Sequence, residues 1–336
     1  ERFPATVRHY RDLGTTHNNY GIQLKEQGKY DQAIRQYEEA LRIRQEITRR
    51  FPEDGDYLLD LAVAHNNLGG LLEDLEQYET SRQQFEQAIA MLRDVTQRFP
   101  EVSEVRLLLA RTYHNLGDSL FKTGDRQKCA EEFEKARSIL TDLASQEPSP
   151  PQVRRALASL IADIGTLLSR TGQLQEASRE YESASEIQTR LVQEFPAMLG
   201  YRVELARTHN NLGKLFHTLQ QFDDALVSLQ QALQFRQALV DQFPGIPLYD
   251  HDLGRTHYNL GLVLGSQSKL DEARHHFEQA HQIQADLVDR FENDSTYLQD
   301  LAVTLTMLGS VDSAQNDPAS AISDLQQALA IQRRLV

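Results

Sequence analysis

LAVAHNNLG, residues 61–69, places Leu61, His65 and Leu68 at the four- and three-residue steps of one helix face. The same stretch ends in a glycine and holds Asn66 and Asn67, and asparagine disfavours helix because its side chain competes for nearby backbone groups. The pattern returns as LARTHNNLG at 205–213, LGRTHYNLG at 253–261 and LGTTHNNYG at 13–21. A chain that repeats unfavourable residues inside a helical pattern has a use for them.

Working outward, the leucine recurs as Leu13, Leu61, Leu109, Leu157, Leu205, Leu253 and Leu301, a period of 48 residues. With that leucine as place zero, place eight is always glycine (Gly21, Gly69, Gly117, Gly165, Gly213, Gly261, Gly309) and place twenty-seven is always alanine, from Ala40 to Ala328. Place twenty-four is aromatic or leucine: Tyr37, Phe85, Phe133, Tyr181, Leu229, Phe277 and Leu325. Proline closes units at Pro52, Pro100, Pro148, Pro196 and Pro244, usually after Phe. Repeats in unbroken register define the architecture.

Each unit carries two apolar stripes of helical period, the second running through Ser81, Phe85, Ala88, Leu92 and Val95. Gly28, Gly124 and Gly172 fall between the stripes, where a left-handed cap ends a first helix. Asp31, Asp223 and Asp271 then supply first-turn acids, and Asp317-Pro318 reads as an N-cap with its first helical residue. Phe-Pro stops the second helix, because the residue before proline is pushed out of the helical region. Ser149-Pro150, Asp294 and Ser295 are candidate caps for the helices that follow. The spacing predicts seven hairpins, at about 5–51, 54–99, 102–147, 150–195, 198–243, 246–291 and 295–336, with helices of about 18–20 residues and no strands. One hairpin cannot bury its stripes alone, so the hairpins stack into a single all-α solenoid over 1–336.

Composition narrows the function. The 35 basic and 49 acidic side chains give −14, a balance that repels nucleic acid and anionic membrane surfaces. No apolar run approaches the roughly 20 residues of a membrane span. One cysteine, Cys129, excludes an internal disulfide framework and fits a reducing, cytoplasmic setting. There is no signal-peptide pattern. Without strands there is no phosphate loop of the strand-to-helix type, and no recognisable triad context exists, so the chain by itself is not expected to be an enzyme or to hold a cofactor.

Leu68-Gly69 at places seven and eight, Ala33 or Ala177 at place twenty, Phe85 at twenty-four and Ala88 at twenty-seven resemble the tetratricopeptide repeat, over the whole chain. Two departures stand out: the unit is 48 residues rather than 34, and the bulky fourth-place residue is mostly His. The long unit is similar to kinesin-light-chain-like repeats and to arrays in bacterial, planctomycete-type proteins, where they often follow a serine/threonine kinase domain. The resemblance implies an alpha-alpha superhelix, first helices on its concave face, and a peptide or partner segment held in that groove.

The fourth place holds His17, His65, Tyr113, Ile161, His209, His257 and Leu305; a slot that accepts Ile and Leu is a packing slot rather than a metal site. His275, His276 and His281 are expected to be exposed. The sixth place holds Asn19, Asn67, Asn115, Asp163, Asn211, Asn259 and Met307. Each amide either bonds the next repeat's backbone or offers a donor and an acceptor to a bound segment; proteins the array resembles use a matching asparagine in the second way. The fifth-place Asn18, Asn66 and Asn210 are less regular and carry less weight. Places two, nine and thirteen share this face and bring Arg111, Lys122, Arg170, Arg207, Lys214 and Arg255 to it, which suits an acidic segment or a C-terminal carboxylate. The alternative is that each pairs with an acid across repeats, such as Glu204. Phe3-Pro4 reads as the terminator of a preceding unit, and Leu325, Leu329 and Leu335 face an absent neighbour. Three functions stay open: a scaffold binding a protein segment, the docking part of a bacterial signalling kinase, and a solenoid that stacks end to end.

Overall fold

The structure, a computed structural model, describes residues 4–146 and 148–335. The readings made for Phe3, Glu147 and Val336 fall outside the described residues. The first helices of the hairpins are α1 (Pro4–Glu26), α3 (Gly55–Asp74), α5 (Ser103–Lys122), α7 (Pro151–Arg170), α9 (Leu199–Thr218), α11 (Pro247–Ser266) and α13 (Ser295–Ala314). The second helices are α2 (Tyr30–Arg50), α4 (Tyr78–Arg98), α6 (Arg126–Ala144), α8 (Leu174–Glu194), α10 (Phe222–Gln242), α12 (Leu270–Arg290) and α14 (Pro318–Arg334). Among the described residues there is no strand. The chain divides into two compact units, Glu1–Leu167 and Leu168–Val336.

The helix ends follow from local chemistry. Gly28, Gly124 and Gly172 turn the chain with φ of +70°, +87° and +84°. At the same place the other repeats hold Glu76, Gln220, Ser268 and Asn316, also at positive φ (59° to 63°), so the turn survives without its preferred residue. Phe51, Phe99, Phe195, Phe243 and Phe291 cap the second helices with φ between −135° and −130° and ψ between 61° and 69°, outside the helical region, each N–H still bonded to the carbonyl four residues back. Asp54 and Asp294 are N-caps, each carboxylate accepting two backbone N–H bonds of the next turn, and Asp317 accepts from the Ser320 N–H ahead of Pro318. Two cap expectations are corrected. Ser295 is the first residue of α13, already helical, and the buried Ser149 hydroxyl has no partner among the described residues.

Within the first unit α1 packs on α2, α2 on α3, α3 on α4, α4 on α5 and α5 on α6; the second repeats the order from α8 to α14. First helices also touch each other (α3 with α5, α9 with α11, α11 with α13), which makes them the inner layer of each stack. Glycine at place eight permits the tight hairpin: a Cβ on Gly69 would lie 2.7 Å from the Phe85 ring, and one on Gly261 2.6 Å from the Phe277 ring. Place twenty is filled by small buried residues in every repeat, including Ser81, whose hydroxyl donates to the Gly69 carbonyl at 2.8 Å, and Cys129. Burial pushes the Cys129 thiol up to about 12.

Candidate functional site

The HNNLG residues separate into distinct structural roles. His65 Nδ1 meets Gln84 Oε1 of its own hairpin at 2.8 Å, and His17 meets Gln36 in the same way at 2.7 Å. Asn67 Nδ2 donates to Asn18 Oδ1 of the preceding repeat at 2.8 Å, while Asn66 Oδ1 accepts from Asn115 Nδ2 of the following repeat at 3.4 Å and from Thr112 Oγ1 at 3.1 Å. In the second unit Asn259 Nδ2 donates to Asn210 Oδ1 at 3.0 Å. The amides therefore do link repeats, but the partner is a side chain of the preceding repeat and not, as the sequence suggested, the backbone of the next.

This corrects the low weight given to the fifth place. Fifth place of one repeat pairs with sixth place of the next, an offset of 49 residues. Where the fifth-place residue is His114, the sixth-place residue opposite is Asp163, and the two meet at 2.9 Å. The same offset builds further tiers seven residues, or two helical turns, either way. Arg11 bonds Asp60 at 2.5 Å and His251 bonds Asp300 at 2.8 Å above; Lys25 bonds Asp74 at 2.6 Å and His217 bonds Ser266 at 2.9 Å below. A search of the sequence at 49 rather than 48 residues exposes the Asn/Asn and His/Asp matches.

Asn67 and Asn115 each use one of two N–H groups on the preceding repeat and Asn66 uses its Oδ1, which leaves donor capacity on all three amides and acceptor capacity on Asn67 and Asn115 for another molecule. In the first unit Asn66, Asn67 and Asn115 line a cavity of about 420 Å³ with Ile22, Tyr30, Tyr37 and Gly70. Asn19 is exposed and Asn211 half-buried, and neither has a side-chain hydrogen-bond partner among the described residues.

The six cations divide. Lys122 is held by Glu73 at 3.0 Å and Asp118 at 2.9 Å, so it follows the cross-repeat pairing alternative. Arg170 and Arg207 also have interaction partners. Arg111, Lys214 and Arg255 are exposed and, among the described residues, have no acid within ion-pair distance. The Lys214 ammonium is pulled below its usual range by surrounding protein and then by Arg255 and Arg170. Arg111 is lowered in the same way, by burial and by Arg155.

The fourth-place histidines are packed: His65 and His257 are buried, and His209 stacks on Phe235 with ring centroids 6.5 Å apart. Burial lowers His209 and His257 to about 4, and His276 and His275 add to the effect at His257. His276 was expected in solvent; it instead lies half-buried, its Nδ1 3.0 Å from His257 Nδ1. Among the described residues no three His, Cys, Asp or Glu side chains converge as a metal site, and no helix is long and apolar enough to cross a membrane.

Helical hairpins in fixed register, tied by polar pairs along an inner layer, define a repeat protein of the alpha-alpha type. Three family models, each described as tetratricopeptide repeat, match residues 12–94 and 252–334, 205–244, and 110–139. The chain belongs to the tetratricopeptide repeat family. No curated protein gives a significant sequence match. Among solved structures it is similar to BtubC (BKLC) from P. vanneervenii, at 21% identity and TM-score 0.57 over 77% of this chain and 92% of that one. It is similar to apo RapI at 13% identity and TM-score 0.62, covering 96% and 98% of the two chains. A Rap protein complexed with competence and sporulation factor matches at 14% identity and TM-score 0.54, covering 95% of this chain and 74% of that one. These likenesses concern the fold.

Proposed function

We propose that the chain is a non-catalytic interaction scaffold that holds a protein or peptide segment along the inner face of its first helices. The observation that carries this reading is the ladder at the first-unit cavity: Asn66, Asn67 and Asn115 are fixed by their neighbours and still line open space. Pre-set amides suit an extended main chain, because their orientation is already established before the partner arrives. A Rap protein of similar fold is complexed with competence and sporulation factor, which supports the same use of the architecture.

Charge supports a chemical preference in the second unit. Lys214 and Arg255 have no acid partner among the described residues in a chain of net charge −14, so the segment that meets them is acidic or presents a free C-terminal carboxylate. An alternative setting for the same groove is the docking region of a bacterial signalling protein such as a serine/threonine kinase, which rests only on the resemblance of the long repeats. Affinity purification with Lys214→Glu plus Arg255→Glu beside the unaltered chain tests the acidic segment. A partner lost with the double variant and weakened by salt supports it; a partner retained at full affinity removes the acidic-segment reading.

A second reading rests on exposed leucines. Leu325 is 43% exposed, whereas Phe277 at the same place in the preceding repeat is 2% exposed, and Leu329 on α14 and Tyr10 and Leu13 on α1 are open as well. Copies stacking α14 on α1 would bury both faces by a heterologous contact. Sedimentation showing a monomer at high concentration removes it.

A further inference from the structure

Gly69 and Gly70 are adjacent in α3 and lack side chains for opposite reasons. A Cβ on Gly69 would collide with Phe85, so the hairpin itself forbids one. A Cβ on Gly70 would meet nothing within 4 Å. The fold makes no use of the space, yet glycine is the least favourable helix-interior residue after proline. The same place in the other repeats carries a side chain every time: Ile22, Asp118, Thr166, Lys214, Leu262 and Ser310.

The empty space belongs to the cavity of about 420 Å³. Its apolar lining comes from Ile22, Tyr30 and Tyr37, and its polar lining from Asn66, Asn67 and Asn115. Lys25 and Asp74, also lining it, neutralise each other at 2.6 Å, so the remaining formal charge is that of Glu26. That environment disfavours an anionic side chain and suits a flat apolar one that packs against tyrosine rings. The volume lies within the usual range of ligand pockets.

We infer that the space over Gly70 is a side-chain subsite of the groove, taking one aromatic side chain of a bound protein segment whose main chain lies against Asn67 and Asn115. The inference rests on the groove reading above and adds the chemistry of the residue recognised in the first unit.

The test selects a random twelve-residue phage-displayed peptide library on the 336-residue chain and measures the enriched peptides against Gly70→Leu and the smaller plug Gly70→Ala. Because a Cβ at Gly70 meets no neighbour, Gly70→Ala melts at or above the parent temperature, and the melting curve of Gly70→Leu is recorded beside it to show that the folded chain is what is assayed. The expected result is a shared aromatic residue among enriched peptides and a loss of affinity of about tenfold or more in Gly70→Leu, the effect of excluding one buried aromatic ring. Enriched peptides that bind Gly70→Leu as tightly as the parent, or that share no aromatic residue, overturn the subsite and leave the groove standing. Failure to enrich any peptide removes the groove reading together with the subsite.

Discussion

Asn67 Nδ2 donates to Asn18 Oδ1 at 2.8 Å across 49 residues of sequence, one more than the repeat length. That extra residue expresses how neighbouring first helices sit, each displaced by one position relative to the last. The buried form of the pair is Asn259 on Asn210, at 9% and 8% exposure. Asn210→Ala leaves the Asn259 N–H without its acceptor and is expected to destabilise by about 1–3 kcal/mol. Asn211→Ala, at a half-buried amide with no side-chain partner among the described residues, is expected to change stability by less than about 0.5 kcal/mol. Urea unfolding of the two variants checks the contrast, and equal losses would show that the pairing is not what holds the repeats.

The left-handed turn between paired helices gives an independent handle on stability. Glu76, Gln220 and Ser268 hold φ near +60°, a conformation in which a side chain crowds the following carbonyl. Replacing each with Gly relieves that crowding and raises the entropy of the unfolded chain, effects of opposite sign. The relief is the larger, so each variant is expected to gain about 0.5 kcal/mol and the three together about 1–2 kcal/mol. A lowered denaturation midpoint in the triple variant would show that the native side chains make contacts that outweigh the strain.

The all-α fold of packed helix pairs was legible because helix caps and close contacts demand particular residues. Gly69 has no room beside Phe85, Gly28 has positive φ, and Phe51 precedes proline; the first demand recurs as glycine in all seven repeats, the second as Gly28, Gly124 and Gly172, and the third at Phe51, Phe99, Phe195 and Phe243. The ladder was less legible, since it joins different places of different repeats and its members change together: Asn18 with Asn67, but His114 with Asp163. Individual cations could not be sorted from sequence. Lys122 and Lys214 both fall on the inner face, and only the positions of Glu73 and Asp118 show that one is neutralised and the other open.

Cys129 is an internal test of packing. Its side chain has no exposed surface, and burial followed by the charges of Asp118, Asp163 and Asp125 pushes the thiol up to about 12. Only thiolate reacts with alkylating reagents, so the folded chain at pH 8 is expected to resist maleimide and the urea-unfolded chain to react completely. Rapid labelling of the folded chain would reveal local opening of α6 against α5. Cys129→Ala, the residue that Ala177 and Ala225 supply in other repeats, is expected to fold normally.

His209 makes stability depend on pH in a defined direction. Burial lowers it to about 4, and among the described residues its Nδ1 has no hydrogen-bond partner. The unfolded chain presents an ordinary histidine near pH 6.5. Between these values the unfolded state binds the extra proton, so the contribution of neutral His209 is complete above about pH 6.5 and declines as pH falls toward about 4. At roughly 1.4 kcal/mol per pH unit, the upper bound for this one group is about 3 kcal/mol. His257, also lowered to about 4, acts in the same direction. Leu305 occupies this place in the last repeat, so His209→Leu has a precedent in the fold. The variant is expected to gain stability relative to the parent at pH 5 and to match it more closely at pH 7.5. Parallel pH profiles for parent and variant would show that His209 keeps its proton affinity when the chain folds.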